Sequence, residues 1–460
     1  MTDQNIHPSA NDTIERYKKK IALSAEHDRN AKDFMPGGDT RTATYFLPSP
    51  PYMVRGRGCW IYDVDGNKYL DCLNNYTSLV HGHCHPETVS AVKAQLDNGT
   101  VFGSPAEIQY RHAAHLNDRI PSMQRVRYTN SGTEATMFAM RGARAFTGRM
   151  GIVKMDGGYH GSHEAAEVNI NPDLTSEGYP QAHAEPAVPP SILSDIFVAP
   201  FNDLDAMESV LETHAGEIAA LIVEPIMGAG GVVMPNEGYL AGLRELTLKH
   251  DVLLIFDEII TFRWHYAGYQ GLEGIDPDLT TLAKIIGGGL PVGAFGGRED
   301  VMAVFDPHDS NFILHSGTFN GTNAVLAGGL ATLEALDEAS IAHINVLGDR
   351  LREGFNRSFS EAGFLAAASG SGSIVCFRWT GKEPLDARQA AEGMIPAGDF
   401  PNYVHIELMN QGVYSASRGM FVLSTPMTEA DIDFAVDAMA ASLDRLKSYA
   451  EERFPALLRD

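Results

Sequence analysis

Two stretches decide the fold: VLLIFDEII, residues 252–260, and LTTLAKIIGGGLPVGAFGG, residues 279–297. Each opens as an apolar run. The first closes on Asp257-Glu258 and the second on Lys284. Short apolar runs bounded by turn residues read as strands buried on both faces. Burial on both faces belongs to a mostly parallel sheet with helices on either side. Ligands of such sheets sit beyond the carboxyl ends of the strands, where Asp257 and Lys284 fall. A lysine desolvated there has a lowered pKa and acts as a nucleophilic amine. An aspartate there meets a cationic ligand group. Alone, each also reads more plainly, Asp257-Glu258 as caps of the next turn and Lys284 as a solvated strand end. The glycines 287–289 do not make a dinucleotide fingerprint, because position 292 is Val.

Further runs of the same kind are RVRYTN (125–130), GIVKMDG (151–157), IFVAPFND (196–203) and IAALIVEPI (218–226). Helical segments alternate with them, and a long loop is expected over 160–195. In TNSGTEATMFAMRGARAFTG (129–148), a strand ends at Thr129-Asn130. Ser131-Gly132-Thr133 then opens a helix to about Phe146. Such a start is an ordinary N-cap, and equally a ready site for a phosphate.

Upstream, an irregular lead and one helix are expected around 12–33. The Gly- and Pro-rich stretch 35–58 reads as loop. A hairpin turns at Asp65-Gly66 within CWIYDVDGNKYLDCL (59–73). A helix follows from His85, with its stop at Gly99. Beyond 330, residues 321–363 are strongly helical. GSIVCFRW (372–379) and YSASRGMFVLS (414–424) read as strands, and 428–452 as a final helix. The expected fold is α/β. Residues 1–84 form an N-terminal segment with a small antiparallel sheet, 85–330 a large domain with a mostly parallel central sheet, and 331–460 a C-terminal small domain. The smaller α+β unit is built from both chain ends.

The 460 residues carry Lys+Arg 35 against Asp+Glu 59, a formal net charge of -24. That balance argues against nucleic acid and anionic membranes as partners. No apolar run reaches the ~18 residues of a spanning helix, and the first residues lack a signal-peptide core. A cytoplasmic protein is expected. Cys59, Cys72, Cys84 and Cys376 contain no CxxC and read as buried thiols of a reducing compartment. The cluster His81-Gly82-His83-Cys84-His85 precedes a helix, with no second ligand cluster, so no metal is expected.

Together, a phosphate cradle, a strand-end aspartate and a strand-end lysine match the needs of pyridoxal 5'-phosphate. The lysine forms the Schiff base, the aspartate keeps the pyridine nitrogen protonated, and the helix start takes the phosphate. Tyr159-His160, just past a strand, offers an aromatic to cover the ring.

The chain resembles class III aminotransferases of fold type I in several motifs. These are residues 130–135 (NSGTEA), 158–161 (GYHG), Glu224-Pro225, Phe256-Asp257-Glu258, Leu282-Ala283-Lys284 and 315–319 (HSGTF). The match runs over roughly 34–445. The resemblance implies that Lys284 and Asp257 are the catalytic pair. It implies that Ser131, Gly132, Thr133, Tyr159, His160, Glu224 and Ile259 surround the cofactor, with Tyr159 and Ile259 on opposite ring faces. Thr318 would reach the phosphate in a neighbouring subunit, so a homodimer with shared sites is implied.

Within that family the segments are similar to the glutamate-1-semialdehyde aminomutase branch, and closest to bacterial β-amino acid (β-phenylalanine-type) aminotransferases. There, arginines at the places of Arg41 and Arg418 anchor carboxylates. A guanidinium fork suits that task. Two departures from the aminomutases favour a transaminase. Asp39-Thr40-Arg41 lacks their proline, and Thr261-Phe262-Arg263 lacks their glycine. The expected function is amino transfer from a carboxylate-bearing amine, with a β-amino acid as candidate, to a 2-oxo acid in a ping-pong cycle. The alternative within the family is a 2,1-aminomutase of the glutamate-1-semialdehyde type. Outside it stands a catalytically silent binding protein, which the intact lysine, aspartate and cradle disfavour. Trp264-His265-Tyr266 reads as pocket wall or packing.

Overall fold

The computed structural model describes residues 7–175 and 178–459. The apolar runs form one seven-stranded sheet, to which the stretch 279–297 supplies two strands. Its strands, in spatial order, are Arg125–Thr129, Gly293–Gly297, Leu279–Ala283, Leu253–Asp257, Ile218–Val223, Gly151–Met155 and Ile196–Ala199. Pairing is parallel except at Gly293–Gly297, which is antiparallel to both neighbours. Alternation explains why the runs are unbroken in hydrophobicity. Leu254 and Phe256 pack into one buried cluster, and Leu253 and Ile255 into another. Both faces of the strand are therefore core.

The parallel directions bring the strand ends to one edge. Asp257 closes its strand, and Lys284 and Glu224 each follow theirs by one residue. Thr129 and Ala283 both pair with Gly293, so the helix start at Ser131 arrives at the same edge. A Cβ on Gly293 would lie 2.1 Å from the Ser131 carbonyl oxygen, so only glycine allows this approach.

The hairpin forms as expected, Trp60–Asp63 against Lys68–Asp71, with Gly66 at φ +87. Its sheet is not wholly antiparallel, because Val413–Tyr414 adds a parallel strand beside Lys68–Asp71. The expected strand 414–424 is accordingly split. Tyr414 ends one strand and Met420–Val422 joins another sheet, antiparallel to Ile374–Arg378. Gly419, at φ +86, turns the chain between them, and this turn carries Arg418. One buried cluster unites Ala10, Cys59 and Leu70 with Phe355, Phe421 and Leu443.

Region 321–363 is helical as expected, in two helices, with Asp337 capping the second through Ser340 N–H. Two further expectations are corrected. The N-terminal helix is two helices, Pro8–Lys20 and Ala22–Ala31, broken at Ile21, while the lead at 1–6 lies outside the described residues. Cys84 is exposed, whereas the other three cysteines are buried. The loop 160–195 carries a short helix, Glu164–Glu167, and a 3-10 segment, Pro190–Asp195, and positions 176–177 lie outside the described residues. No helix of the described residues is long and apolar enough to cross a membrane.

Burial of histidine gives the fold an acid limit. Burial pushes His81, His112 and His405 each down to about 4. Their ordinary value is near 6.5, so the unfolded chain binds more protons between these limits. The stability they contribute is full above pH 6.5 and is lost as pH falls through 4. Each contributes a slope of about 1.4 kcal/mol per pH unit there. Urea midpoints should fall between pH 7 and pH 4.5, and an unchanged midpoint would refute this account.

Candidate active site

The strand ends and the helix start enclose a cavity of about 450 Å³. Of the residues expected here, Ser131, Gly132, Thr133, Tyr159, His160, Glu224, Asp257, Ile259, Lys284 and Arg41 line it. Arg418 does not line it, but its guanidinium carbon lies 5.9 Å from the ring centroid of Tyr76, which does. Thr318 is exposed and does not line this chain's cavity.

Asp257 is 3 % exposed, and its charge is met by three donors. His160 Nδ1 lies 2.8 Å from Oδ2, Thr281 Oγ1 donates to Oδ1 at 3.1 Å, and Ile259 N–H at 3.2 Å. His160 Nε2 is buried with no protein partner among the described residues. Glu258 points elsewhere. It accepts from Thr261 Oγ1, Tyr269 N–H, and both Gln270 N–H and Nε2, and so ties the next turn together. The capping alternative thus holds for Glu258, while Asp257 lines the cavity.

Lys284 follows its strand in a left-handed conformation, φ +51. Burial pushes its amine below the ordinary value, and Arg418 adds to this against the pull of Asp257 and Glu224. Glu224 is buried and accepts from Tyr159 N–H and Gly228 N–H, both at 3.0 Å. Burial pushes its carboxyl up, and Asp257 adds to this while His160 opposes it. Through Tyr159 N–H it fixes the aromatic turn.

Ser131 caps the helix Gly132–Thr147 by accepting from Glu134 N–H at 3.2 Å. The first amides of any helix lack intrahelical acceptors, so those of Gly132 and Thr133 remain for an anion. A Cβ on Gly132 would lie 2.7 Å from Ile259 Cδ1. Gly161 (φ +98) abuts Thr133 just as tightly. The site therefore offers an anion cradle, a buried carboxylate for a cation, and a desolvated amine for a carbonyl carbon. Pyridoxal phosphate carries those three complements, so the residues fit it.

Some lining residues escaped the sequence reading, among them Asn75, Tyr76, Ser78, Asn130 and the 289–292 wall. Asn74, Asn75, Tyr76 and Thr77 run at φ +50, +47, +54 and +78, a full left-handed turn without glycine. Each such residue costs roughly 1–2 kcal/mol. Arg263, fully buried, helps to hold this turn by donating to the Thr77 carbonyl at 3.4 Å. Trp264 and Tyr266 pack rather than line the cavity, Trp264 against Tyr269 and Tyr266 under Arg119. His81 and His85 stack, ring centroids 4.5 Å apart, while His83 turns to a different partner. His81 Nδ1 meets Thr425, His83 Nε2 meets Asp71, and His85 Nδ1 meets Thr88.

Residues 47–441 match the model of the aminotransferase class-III family. The chain is a class III aminotransferase family member. It is similar to a glutamate-1-semialdehyde 2,1-aminomutase 2 of Halalkalibacterium halodurans, 40% identical over 93% of this chain and 100% of that one. Among solved structures it is similar to an omega-transaminase from Sphaerobacter thermophilus (TM-score 0.88, 40% identity, 92% and 98% of the two chains). It is also similar to a β-phenylalanine aminotransferase from Variovorax paradoxus (TM-score 0.86, 33% identity, 98% of each). The fold is that of pyridoxal-phosphate-dependent class III aminotransferases, fold type I, and the enzyme's cofactor is pyridoxal 5'-phosphate. Its substrates are small amino and keto compounds.

Proposed function

We propose that the enzyme moves the amino group of a carboxylate-bearing amine, a β-amino acid in the leading case, to a 2-oxo acid. The observation that carries this reading is the meeting of Lys284, Asp257 and the helix start in one cavity with Arg41 on its wall. When bound, pyridoxal phosphate supplies an aldehyde to capture the amine and an electron-withdrawing ring. Ser131, Gly132 and Thr133 hold its phosphate at the helix start. Tyr159 and Ile259 cover its ring, and Glu224 keeps the Tyr159 turn in place. Asp257, oriented by His160, keeps the ring nitrogen protonated. Lys284 Nζ takes the proton from the amine-bearing carbon. Arg41 and Arg418 receive the carboxylates of donor and acceptor. Thr318 serves a neighbouring subunit's site in a homodimer.

A second reading is an intramolecular 2,1-aminomutase. The name of the curated Halalkalibacterium relative favours it over the transaminase. The omega-transaminase likeness, and the missing glycine in Thr261-Phe262-Arg263, support the first. One assay separates them. Purified holoenzyme receives β-amino acids with and without 2-oxoglutarate or pyruvate, and separately an amino-aldehyde alone. Sustained turnover of a β-amino acid only with a keto acid supports the transaminase. Turnover of the amino-aldehyde with no keto acid supports the aminomutase and overturns the first reading.

A further inference from the structure

The left-handed turn at 74–77 stands where the cavity wall meets the expected carboxylate anchors. Strained backbone of this kind persists only where its surroundings over-determine it, and it clusters at ligand clamps. Here the surroundings are specific. Asp71 Oδ1 accepts from Leu73 N–H and Asn74 N–H, both at 2.9 Å. Asn74 Nδ2 donates to the Val422 carbonyl at 2.7 Å, and Tyr76 OH to the Ala43 carbonyl at 2.6 Å.

The turn presents Asn75 and Tyr76 to two spaces at once. Both residues, with Arg41, line the 450 Å³ cavity and a neighbouring one of about 350 Å³. Arg41 Nη2 donates to Asn75 Oδ1 at 2.6 Å. The Arg41 guanidinium carbon lies 5.5 Å from the Tyr76 ring centroid, and that of Arg418 lies 5.9 Å from the same centroid. Two cations thus share one aromatic ring at the rim of the site. Both distances fall within the range of cation–π attraction. One arginine comes from the N-terminal loop and the other from the 415–419 turn, and Tyr76 is the side chain both approach.

We infer that Tyr76 is a specificity-determining positioning residue. Its ring, fixed by the strained turn, keeps both guanidiniums ordered at the rim before a substrate carboxylate arrives. Ordering flexible side chains in advance removes an entropic penalty from binding. The gain falls only on substrates that bear a carboxylate. This rests on the reading above, that Arg41 and Arg418 meet substrate carboxylates.

The test follows the first half-reaction of the holoenzyme, without keto acid, by the change in the bound cofactor's absorbance. Two donors are compared, 3-amino-3-phenylpropanoate and its carboxylate-free counterpart 1-phenylethylamine. Tyr76→Leu should weaken the apparent affinity for the carboxylated donor roughly 10-fold, with the amine changed less than about threefold. Tyr76→Phe keeps the ring and should restore most of the loss. Asn75→Gly, which releases Arg41, accepts the left-handed backbone without strain and gives up only the bond to Ser78 Oγ, should weaken only the carboxylated donor, by roughly fivefold. It serves as the test should Tyr76→Leu fail to fold. Equal losses on both donors, or none on either, would overturn the inference. A wild-type enzyme with no preference for the carboxylated donor would instead overturn the carboxylate reading itself, and this inference with it.

Discussion

Lys284→Ala should lower amino-group transfer by about 10⁴-fold while the protein still binds pyridoxal phosphate. Two functions leave with one side chain. The amine that holds the cofactor covalently is gone, and so is the base that moves the proton. The cradle of Ser131, Gly132 and Thr133 and the carboxylate of Asp257 stay, so binding persists without the covalent link. Absorbance and reduction with borohydride check this together. The variant should show non-covalent cofactor, released on denaturation, and no cofactor fixed to the chain by borohydride. Turnover at wild-type rate would sink the assignment of Lys284.

Asp257→Asn ranks second, with kcat lowered by about 10²–10³-fold. The amide keeps the volume and loses the negative charge. The buried pocket then has no anion to hold a proton on the ring nitrogen, and His160 loses its acceptor at 2.8 Å. The unmatched buried donor should cost about 1–3 kcal/mol of stability, which thermal unfolding reads separately from activity. A cofactor analogue with a permanently positive ring nitrogen should restore part of the rate. Full activity of Asp257→Asn with the ordinary cofactor would refute the role.

Asp257, Lys284 and the Ser131 start were legible in sequence because their logic is local. An apolar run ends, a charged or capping residue follows, and the parallel sheet does the rest. Tyr76 and Asn75 were not. Asn74-Asn75 tolerates left-handed backbone, but nothing in LNNYT carries it on through Tyr76 and Thr77, whose supports come from Ala43 and Arg263, far away in the chain. The same holds for Val413–Tyr414. It is two residues long, and it is a strand only because Lys68–Asp71 lies beside it. Asp257 and Glu258 end the same apolar run, and turn capping was an open reading for both. Four donors from 261–270 claim Glu258 for that task, while Asp257 lines the cavity. Trp264 offered an aromatic face that the core took.

The strand at Val413–Tyr414 also bears on how the enzyme is made. A ribosome has released the hairpin 60–71 and the Arg41 loop long before residue 413 emerges. Until then Lys68–Asp71 lacks its second neighbouring strand. The cradle and Lys284, encoded earlier, are already outside the exit tunnel. The second arginine arrives in the same late segment that supplies it. The residues that line the cavity around Lys284 are therefore synthesised first, and Arg418, the second arginine beside Tyr76, last, within a few residues of the strand that completes the N-terminal sheet.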